Sequence, residues 1–416
     1  MNFNPATANL NEWLQRLENL HPNAIDLGLE RVSAVAKHLD CLKPAPLVIV
    51  VGGTNGKGTT SAFIAALLQA QGLSVGVYNS PHLHRYNERV TINGVEASDE
   101  AICASFSAVE AQRNDVSLTY FEFGTLAALT LFKQQSLDAC VLEIGLGGRL
   151  DAVNIVDADI SVVTSLGLDH QAWLGNTLEQ IAYEKMSIAR SNKWLVSGQI
   201  TPPANAKERV EELGGKWCAR DEDFTIESNE QGLLLQFKQD GQSQTWQLPA
   251  AKIPQPNVAT AIQTLALIER LPSYEQTVAV LKNLQVRGRL QSFQRGNLTL
   301  TLDVAHNEQA AAYIGQKLGQ VDGIILGMLS DKEPEKVVPV LPKTEQWVLV
   351  GLDCFRGLKH QELAARVPSL NALSYSTVAE AMKHLPDSGH WLVCGSFYTV
   401  DAALEVIEQE AGWNPI

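Results

Sequence analysis

The chain has no apolar run approaching the roughly 18 residues that a membrane span needs. Residues 1–10 lack a basic stretch followed by an apolar one, so no secretory leader is expected and the expected location is cytoplasmic. Cysteine is scarce. The six residues Cys41, Cys103, Cys140, Cys218, Cys354 and Cys394 contain no Cys-x-x-Cys pair, so neither a zinc site nor a disulfide framework is suggested and they read as reduced, mostly buried thiols. Positive charge is short too: 32 Lys and Arg against 46 Asp and Glu leave a formal charge of −14. That balance argues against a nucleic-acid surface while leaving room for a local basic pocket, so small molecules are the expected partners. Internal repeats and low-complexity stretches are absent. What is present is core material: 45% of the 416 residues are hydrophobic and 19% charged, which excludes a disordered chain and is too much length for one core.

From 47 to 198, β-branched apolar runs alternate with helical patterns, the signature of a mostly parallel sheet covered on both faces. The pattern predicts strands at 47–51, 74–79, 138–144, 160–166 and 193–197. Between 217 and 248 three short polar-apolar runs, 224–228, 232–238 and 244–248, predict an antiparallel ribbon at that domain's margin. A helix is expected over 258–270. The segment beginning at Arg287 and flanked by Gly296 reads as a crossing between domains. Beyond it the strands 298–304, 323–328, 347–351 and 391–395, with helices near 307–318, 377–385 and 399–410, predict a smaller Rossmann-like α/β domain. The expected division is 1–288, an ATP-binding domain, and 289–416.

Residues 53–60 read Gly-Thr-Asn-Gly-Lys-Gly-Thr-Thr, after the apolar run 47–51 and before a helical pattern. A buried strand ending in glycines turns backbone N–H groups toward an anion, the following helix points its positive end at the same spot, and Lys57 can reach terminal phosphates. Two positions depart from the strict Walker pattern: Val51 replaces the first glycine, and Gly58 replaces the metal-binding hydroxyl, which Thr59 or Thr60 must then supply. A bare glycine turn packing strand on helix is the competing reading.

Other chemistry gathers at strand ends, as open α/β sheets require. Ser80 follows the run 75–79, Glu143 closes another and precedes a glycine-rich turn reaching Asp151, and His170 follows Asp169 beyond a third. Hard magnesium suits oxygen ligands such as Ser80 and Glu143, whereas His170 is the softer and less expected ligand. Each also has a plain alternative: Ser80 as turn former, Glu143 as a solvated charge, His170 as a loop histidine paired with Asp169.

Taken in order, the phosphate loop, Asn79-Ser-Pro-His-Leu, Glu143-Ile-Gly-Leu-Gly-Gly-Arg-Leu-Asp-Ala, Leu168-Asp-His, Glu184-Lys185, Asp303-Val-Ala-His-Asn and Cys394-Gly-Ser-Phe-Tyr-Thr-Val resemble the Mur ligase superfamily. Within it, the chain is similar nearly end to end to the bacterial bifunctional dihydrofolate synthase/folylpolyglutamate synthase family. The resemblance implies a Mur-ligase-like fold with a C-terminal glutamate-ligase domain. It places Thr54, Asn55, Gly56, Lys57, Gly58, Thr59, Asn257, Arg289 and Asp303 on ATP, and Ser80, Glu143 and His170 on two magnesium ions. It places Asp26, Leu27, Gly28, Thr119, Tyr120, Phe121, Glu122, Leu150, Asp151 and Ala152 on dihydropteroate. The sequence departs from the family's common wording at Met186-Ser187 and Asn307-Glu308, each beside a matched residue without removing it.

The implied activity is ATP-dependent ligation of L-glutamate to dihydropteroate and to reduced folates through an acyl phosphate, by a monomer without nucleic-acid or membrane partners. The nucleotide is expected between the domains, which close near Arg289 to exclude water. Relatives carry a carbamylated lysine where this chain has Lys185; CO₂ converts a cation that magnesium would repel into a carboxylate. The alternative is an exposed lysine paired with Glu184 or Glu179. His306 has two readings, contact with phosphate or the incoming amino acid, and a purely structural role. A sister ligase acting on cell-wall precursors would need a uridine-nucleotide domain ahead of the loop, where the segment before Leu47 is short. A non-catalytic nucleotide switch would have no use for Glu143, His170 and Lys185 together.

Overall fold

In the computed structural model, which describes residues 3–416, the chain divides into two compact units, one up to Leu284 and one from Gln285. The first is built on an eight-stranded sheet ordered Val95–Glu96, Val90–Ile92, Val75–Tyr78, Ala139–Glu143, Leu47–Gly52, Ile160–Val163, Trp194–Ser197 and Lys216–Ala219. The six strands from Val75–Tyr78 onward run parallel, while the two short edge strands are antiparallel. Branched residues suit Leu47–Gly52 because both faces are covered. Val48 and Val50, with Cys140 and Leu142, join a core around Trp13, Phe106, Phe123 and Phe132. Ile49, Val51 and Val141 are buried outside that cluster, on the opposite pleat.

Register decides what reaches the loop. Val51 stands opposite Glu143 and Gly52 opposite Val163, so the strand ends on either side of the phosphate loop are level with it. The strand expected over 160–166 stops at Val163, because the next residues turn to hold the loop: the Thr164 N–H donates to the Gly52 carbonyl (3.0 Å).

The ribbon is a three-stranded antiparallel sheet, Thr225–Asn229, Gly232–Gln239 and Gln242–Leu248, the second in the middle. Leu233, Leu235 and Phe237 alternate inward, toward the helix Gln255–Leu267. That helix begins three residues before the expected 258 and ends at Leu267, because Pro256 is accepted in a first turn that has no use for its missing N–H. The shift places Asn257 in the first turn.

The second unit has a seven-stranded sheet ordered Ala372–Tyr375, Gln346–Val350, Gly323–Leu326, Ser388–Cys394, Asn297–Asp303, Gln291–Arg295 and Asn414–Pro415. The first five strands are parallel. Just past the segment 287–290 expected to cross between domains, Gly296 (φ 58°) turns Gln291–Arg295 back along Asn297–Asp303 in a hairpin. All six cysteines are free thiols, four of them buried. Among the described residues no helix is long and apolar enough to cross a membrane.

Candidate active site

The phosphate loop is held open by two glycines with positive φ. Gly53 (φ 135°) could carry no side chain, since a Cβ would strike the Thr164 hydroxyl and stand 2.9 Å from its backbone nitrogen. At Gly56 (φ 87°) a Cβ would lie 2.6 Å from the Asn257 side-chain oxygen, so Asn257 covers the loop closely. The helix Lys57–Gln69 starts here, with the Thr60 N–H donating to the Gly56 carbonyl (2.9 Å). Its free N–H groups and positive end face the loop. The Thr164 and Ser165 hydroxyls both donate to the Asn55 carbonyl, at 2.7 and 3.1 Å, while the Asn55 N–H donates to Ser165 Oγ (3.0 Å). Thr54 is tied down likewise: its N–H donates to the Ser165 carbonyl and its hydroxyl to the Gly167 carbonyl. Sequence reasoning passed over Thr164 and Ser165; the signal was two hydroxyl residues directly after a parallel strand.

Several polar atoms at this cradle lack protein partners among the described residues: Asn257 Nδ2, Thr60 Oγ1 and Ser61 Oγ, all buried. A buried amide donor without an acceptor costs about 1–3 kcal/mol. A ligand with phosphate oxygens would relieve it, so these residues fit a nucleotide.

Cations and a carboxylate converge on the same spot. Glu143 is 4% exposed at its strand end, and its Oε1 lies 3.9 Å from Lys57 Nζ. Its Oε2 accepts a long bond from the Ser80 N–H (3.4 Å). A Cβ on Gly58 would lie 3.4 Å from that Oε2, an ordinary contact, so the first turn of the helix passes directly beside the carboxylate. Ser80 and Glu143 thus lie together as hard oxygen donors, a set that fits magnesium or manganese. His170 is exposed, has left-handed backbone (φ 52°) ahead of the short helix Gln171–Leu174, and its own N–H donates to the Asp169 carboxylate (2.8 Å).

Lys185 is not the surface lysine of the alternative reading. It is 5% exposed, and its ammonium donates to the Gly53 carbonyl (3.1 Å) inside the loop. Glu184 turns away to Arg149 (2.9 Å). Burial first, and then the Lys57 charge, push the Lys185 ammonium down to about 7.

The segments expected to hold dihydropteroate meet through Arg31. Its guanidinium pairs with Asp26 Oδ2 (2.8 Å) and Glu122 Oε1 (3.1 Å), while Glu122 Oε2 accepts the Thr119 N–H (2.8 Å) and closes a capping box on the helix Tyr120–Gln135. The glycine turn that leads to the third segment packs on the second: a Cβ at Gly145 would stand 2.5 Å from the Phe121 ring. Asp151 folds its carboxylate onto the N–H groups of Leu146 (2.8 Å) and Val153 (2.9 Å), and burial raises it to about 6. Leu27, Gly28 and Leu150 are partly buried beside these residues in sequence, and Ala152 is buried. Arg31 was not anticipated, although it stands only five positions after Asp26.

In the second unit, Asp303 ends its strand with both carboxylate oxygens occupied, by the N–H groups of Leu290 and Ala305, each at 2.9 Å. Burial raises its pKa, and the Arg289 charge opposes that rise. Arg289 lies over the Phe397 ring (5.1 Å), and His306 Nδ1 is bonded to the Val304 carbonyl (2.9 Å).

A glycine loop with a lysine, a buried strand-end carboxylate and a second, buried lysine on one parallel sheet define a Mur-type ligase core, and residues 51–243 match the Mur ligase middle domain. The fold is similar to E. coli FolC in complex with DHPP and ADP, with a TM-score of 0.91 at 40% identity over 98% of this chain and 99% of that one. A Yersinia pestis bifunctional folylpolyglutamate synthase/dihydrofolate synthase complexed with AMPPNP and Mn ion gives 0.90 at 41% identity, over 98% and 100%. In sequence, the dihydrofolate synthase/folylpolyglutamate synthase of Escherichia coli (strain K12) is 41% identical over 414 residues, 97% of this chain and 96% of that one. The chain therefore belongs to the dihydrofolate synthase/folylpolyglutamate synthase family.

Proposed function

We propose that this chain joins L-glutamate to dihydropteroate, giving dihydrofolate, and to reduced folates, giving folylpolyglutamates, each at the expense of ATP in the cytoplasm and as a monomer. The observation that carries the reading is the meeting of Lys57, Glu143 and the Lys185 ammonium around one glycine loop; a turn that only packs strand on helix gains nothing from buried charges.

Thr54, Asn55, Gly56, Lys57, Gly58 and Thr59 would cradle the phosphates, with the Asn257 amide donating from across Gly56. From the second unit, Arg289 and Asp303 are proposed as nucleotide contacts, and His306 as a contact for phosphate or glutamate. Asp26, Leu27, Gly28, Thr119, Tyr120, Phe121, Glu122, Leu150, Asp151 and Ala152 would hold the pterin substrate. The γ-phosphoryl group passes to the acceptor carboxylate, releasing ADP and leaving an acyl phosphate; Lys57 acts by holding charge in place. The glutamate α-amine then attacks that carbonyl, the tetrahedral intermediate expels phosphate, and the amine's proton leaves to solvent. Ser80, Glu143 and His170 would hold divalent cations, two magnesium ions in our reading, which when bound neutralise the phosphate oxygens.

Lys185 is proposed to be carbamylated. Its neutral amine adds to CO₂, forming an N–C bond and releasing one proton, and the product is an anion at the loop. Burial that favours the neutral amine supports this reading.

The test is ADP release by the purified protein with MgATP. It should require both an acyl acceptor, dihydropteroate or tetrahydrofolate, and L-glutamate. ADP release indifferent to both substrates would make the chain a nucleotide-hydrolysing switch instead.

A further inference from the structure

Two arginines flank the segments assigned to the pterin substrate, and they differ in what they touch. Arg31 is neutralised by protein acids: Asp26 and Glu122 take its charge and the Asp26 carbonyl accepts a further N–H at 3.0 Å. Arg89 is not. It is half-buried at the end of the turn Tyr86–Arg89, and among the described residues it makes no ion pair. Its guanidinium lies between two aromatic rings, 5.4 Å from the centre of Tyr86 and 5.5 Å from that of Tyr120. Its Nε donates to His82 Nδ1 (2.8 Å), and its side chain also bonds the buried Tyr78 hydroxyl. The two terminal NH₂ groups, a planar fork matching a carboxylate, have no carboxylate partner.

Position gives that fork a use. Tyr120 belongs to the segment assigned to dihydropteroate. On the other side, the Arg89 carbonyl accepts the Asn79 N–H (2.9 Å), immediately before Ser80, which belongs to the proposed metal site. Arg89 is thus tied both to the end that would grip the pterin substrate and to the end that would hold phosphate. A carboxylate awaiting phosphorylation has to lie within reach of both. A guanidinium kept between rings and away from protein acids carries an uncompensated charge, and an anionic ligand removes that cost.

We propose that Arg89 receives a carboxylate of the acyl acceptor and so selects an anionic pterin substrate; this rests on the ligase reading above. In the Michaelis complex the fork pairs with the carboxylate, while the two tyrosines and His82 fix its plane.

The experiment compares the parent, Arg89→Gln and Arg89→Lys. Steady-state kinetics are measured with dihydropteroate and with tetrahydrofolate, and binding is measured for pteroic acid and for its neutral carboxamide. Arg89→Gln should raise the Michaelis constant for the acceptor roughly 10- to 100-fold, the range expected for a charge-assisted hydrogen bond, with that for ATP unchanged. The parent should bind acid more tightly than amide, Arg89→Gln should bind both alike, and Arg89→Lys should keep part of the preference. Should Arg89→Gln not fold, the acid-to-amide ratio of Arg89→Lys decides. Equal weakening of acid and amide in either variant would mean that Arg89 is only a structural tie and would overturn the proposal. A parent that turns over both acceptors alongside an unaffected Arg89→Gln defeats Arg89 alone; a parent with no acceptor-dependent ADP release defeats the ligase reading itself.

Discussion

Two strand ends, one in each unit, show opposite uses of the same architecture. Leu47–Gly52 and Asn297–Asp303 are both interior strands of largely parallel sheets, and each runs into a loop that starts a helix. After Gly52 the backbone is pushed outward by glycines, its carbonyls are taken by Thr164, Ser165 and Lys185, and buried donors near it stay unmatched. After Asp303 the chain closes on itself: the carboxylate takes two backbone N–H groups and Asn307 caps the helix Glu308–Leu318 through the Ala310 N–H. The first loop therefore holds its shape through residues far away in sequence and keeps its own donors for a ligand. The second holds its shape locally. Substitutions in the first should strike chemistry while sparing the fold, and in the second should cost stability as well as ligand contacts.

The largest effect tests that contrast directly. Lys57→Ala should fold normally and lose turnover by about 10³-fold, the scale of removing a preorganised transition-state charge. Asp303→Ala should lower unfolding free energy by about 1–3 kcal/mol, because two N–H groups lose their acceptor, and weaken ATP binding besides. Denaturant melts and kcat for the pair check it. Near-parental turnover in Lys57→Ala would sink the assignment of the loop. Glu143→Ala should be almost as inactive and should blunt the dependence of rate on magnesium concentration; if Asp151→Ala proved the more metal-sensitive, metal ligand and pterin contact would have to be exchanged.

Next in size is Lys185. If it is carbamylated, Lys185→Ala is inactive, recovers partly with acetate or propionate, and Lys185→Arg is as poor or poorer, because it sets an uncompensated cation inside the loop. A well-active Arg variant in steady-state assays would leave Lys185 as a structural cation. Smaller again, Asp151→Ala should raise the Michaelis constant for dihydropteroate about tenfold, a hydrogen bond's worth, with less change for ATP.

The smallest effect concerns pH. The buried Lys185 amine holds its proton less tightly, at about 7, than the 10.5 of a free lysine. Between those values the unfolded chain binds a proton that the folded one does not, so this contribution to stability rises with pH through the window. Below pH 7 both states are protonated and the penalty for the buried charge is complete. In CO₂-free buffer Lys185→Met should therefore melt above the parent at pH 6–7, and the gap should narrow toward pH 10. A gap independent of pH would show that the ammonium titrates as it does in the unfolded chain.

Much of the first unit was legible because local chemistry writes it. Branched runs gave the interior strands, glycines and Lys57 gave the loop, and the alternation of 224–248 gave the ribbon. The errors have local causes as well. The helix expected from 258 begins at Gln255, since Pro256 fits a first turn. The strand Gln291–Arg295 was not expected, because a single glycine at 296 marks a hairpin as readily as a linker.

The sequence by itself determined which residue types stand at the strand ends, since backbone freedom and hydrophobic period are properties of neighbours along the chain. Tertiary structure alone decided what each charge meets there. Lys185 could be a solvated helix lysine until its ammonium is found on Gly53, 132 positions away. Arg31 and Arg89 look equivalent in the chain until one is seen between Asp26 and Glu122 and the other between two rings. The physical reason is that the energy of a charge depends on burial and on partners within a few ångströms, and those are fixed only when the sheet brings distant strand ends level.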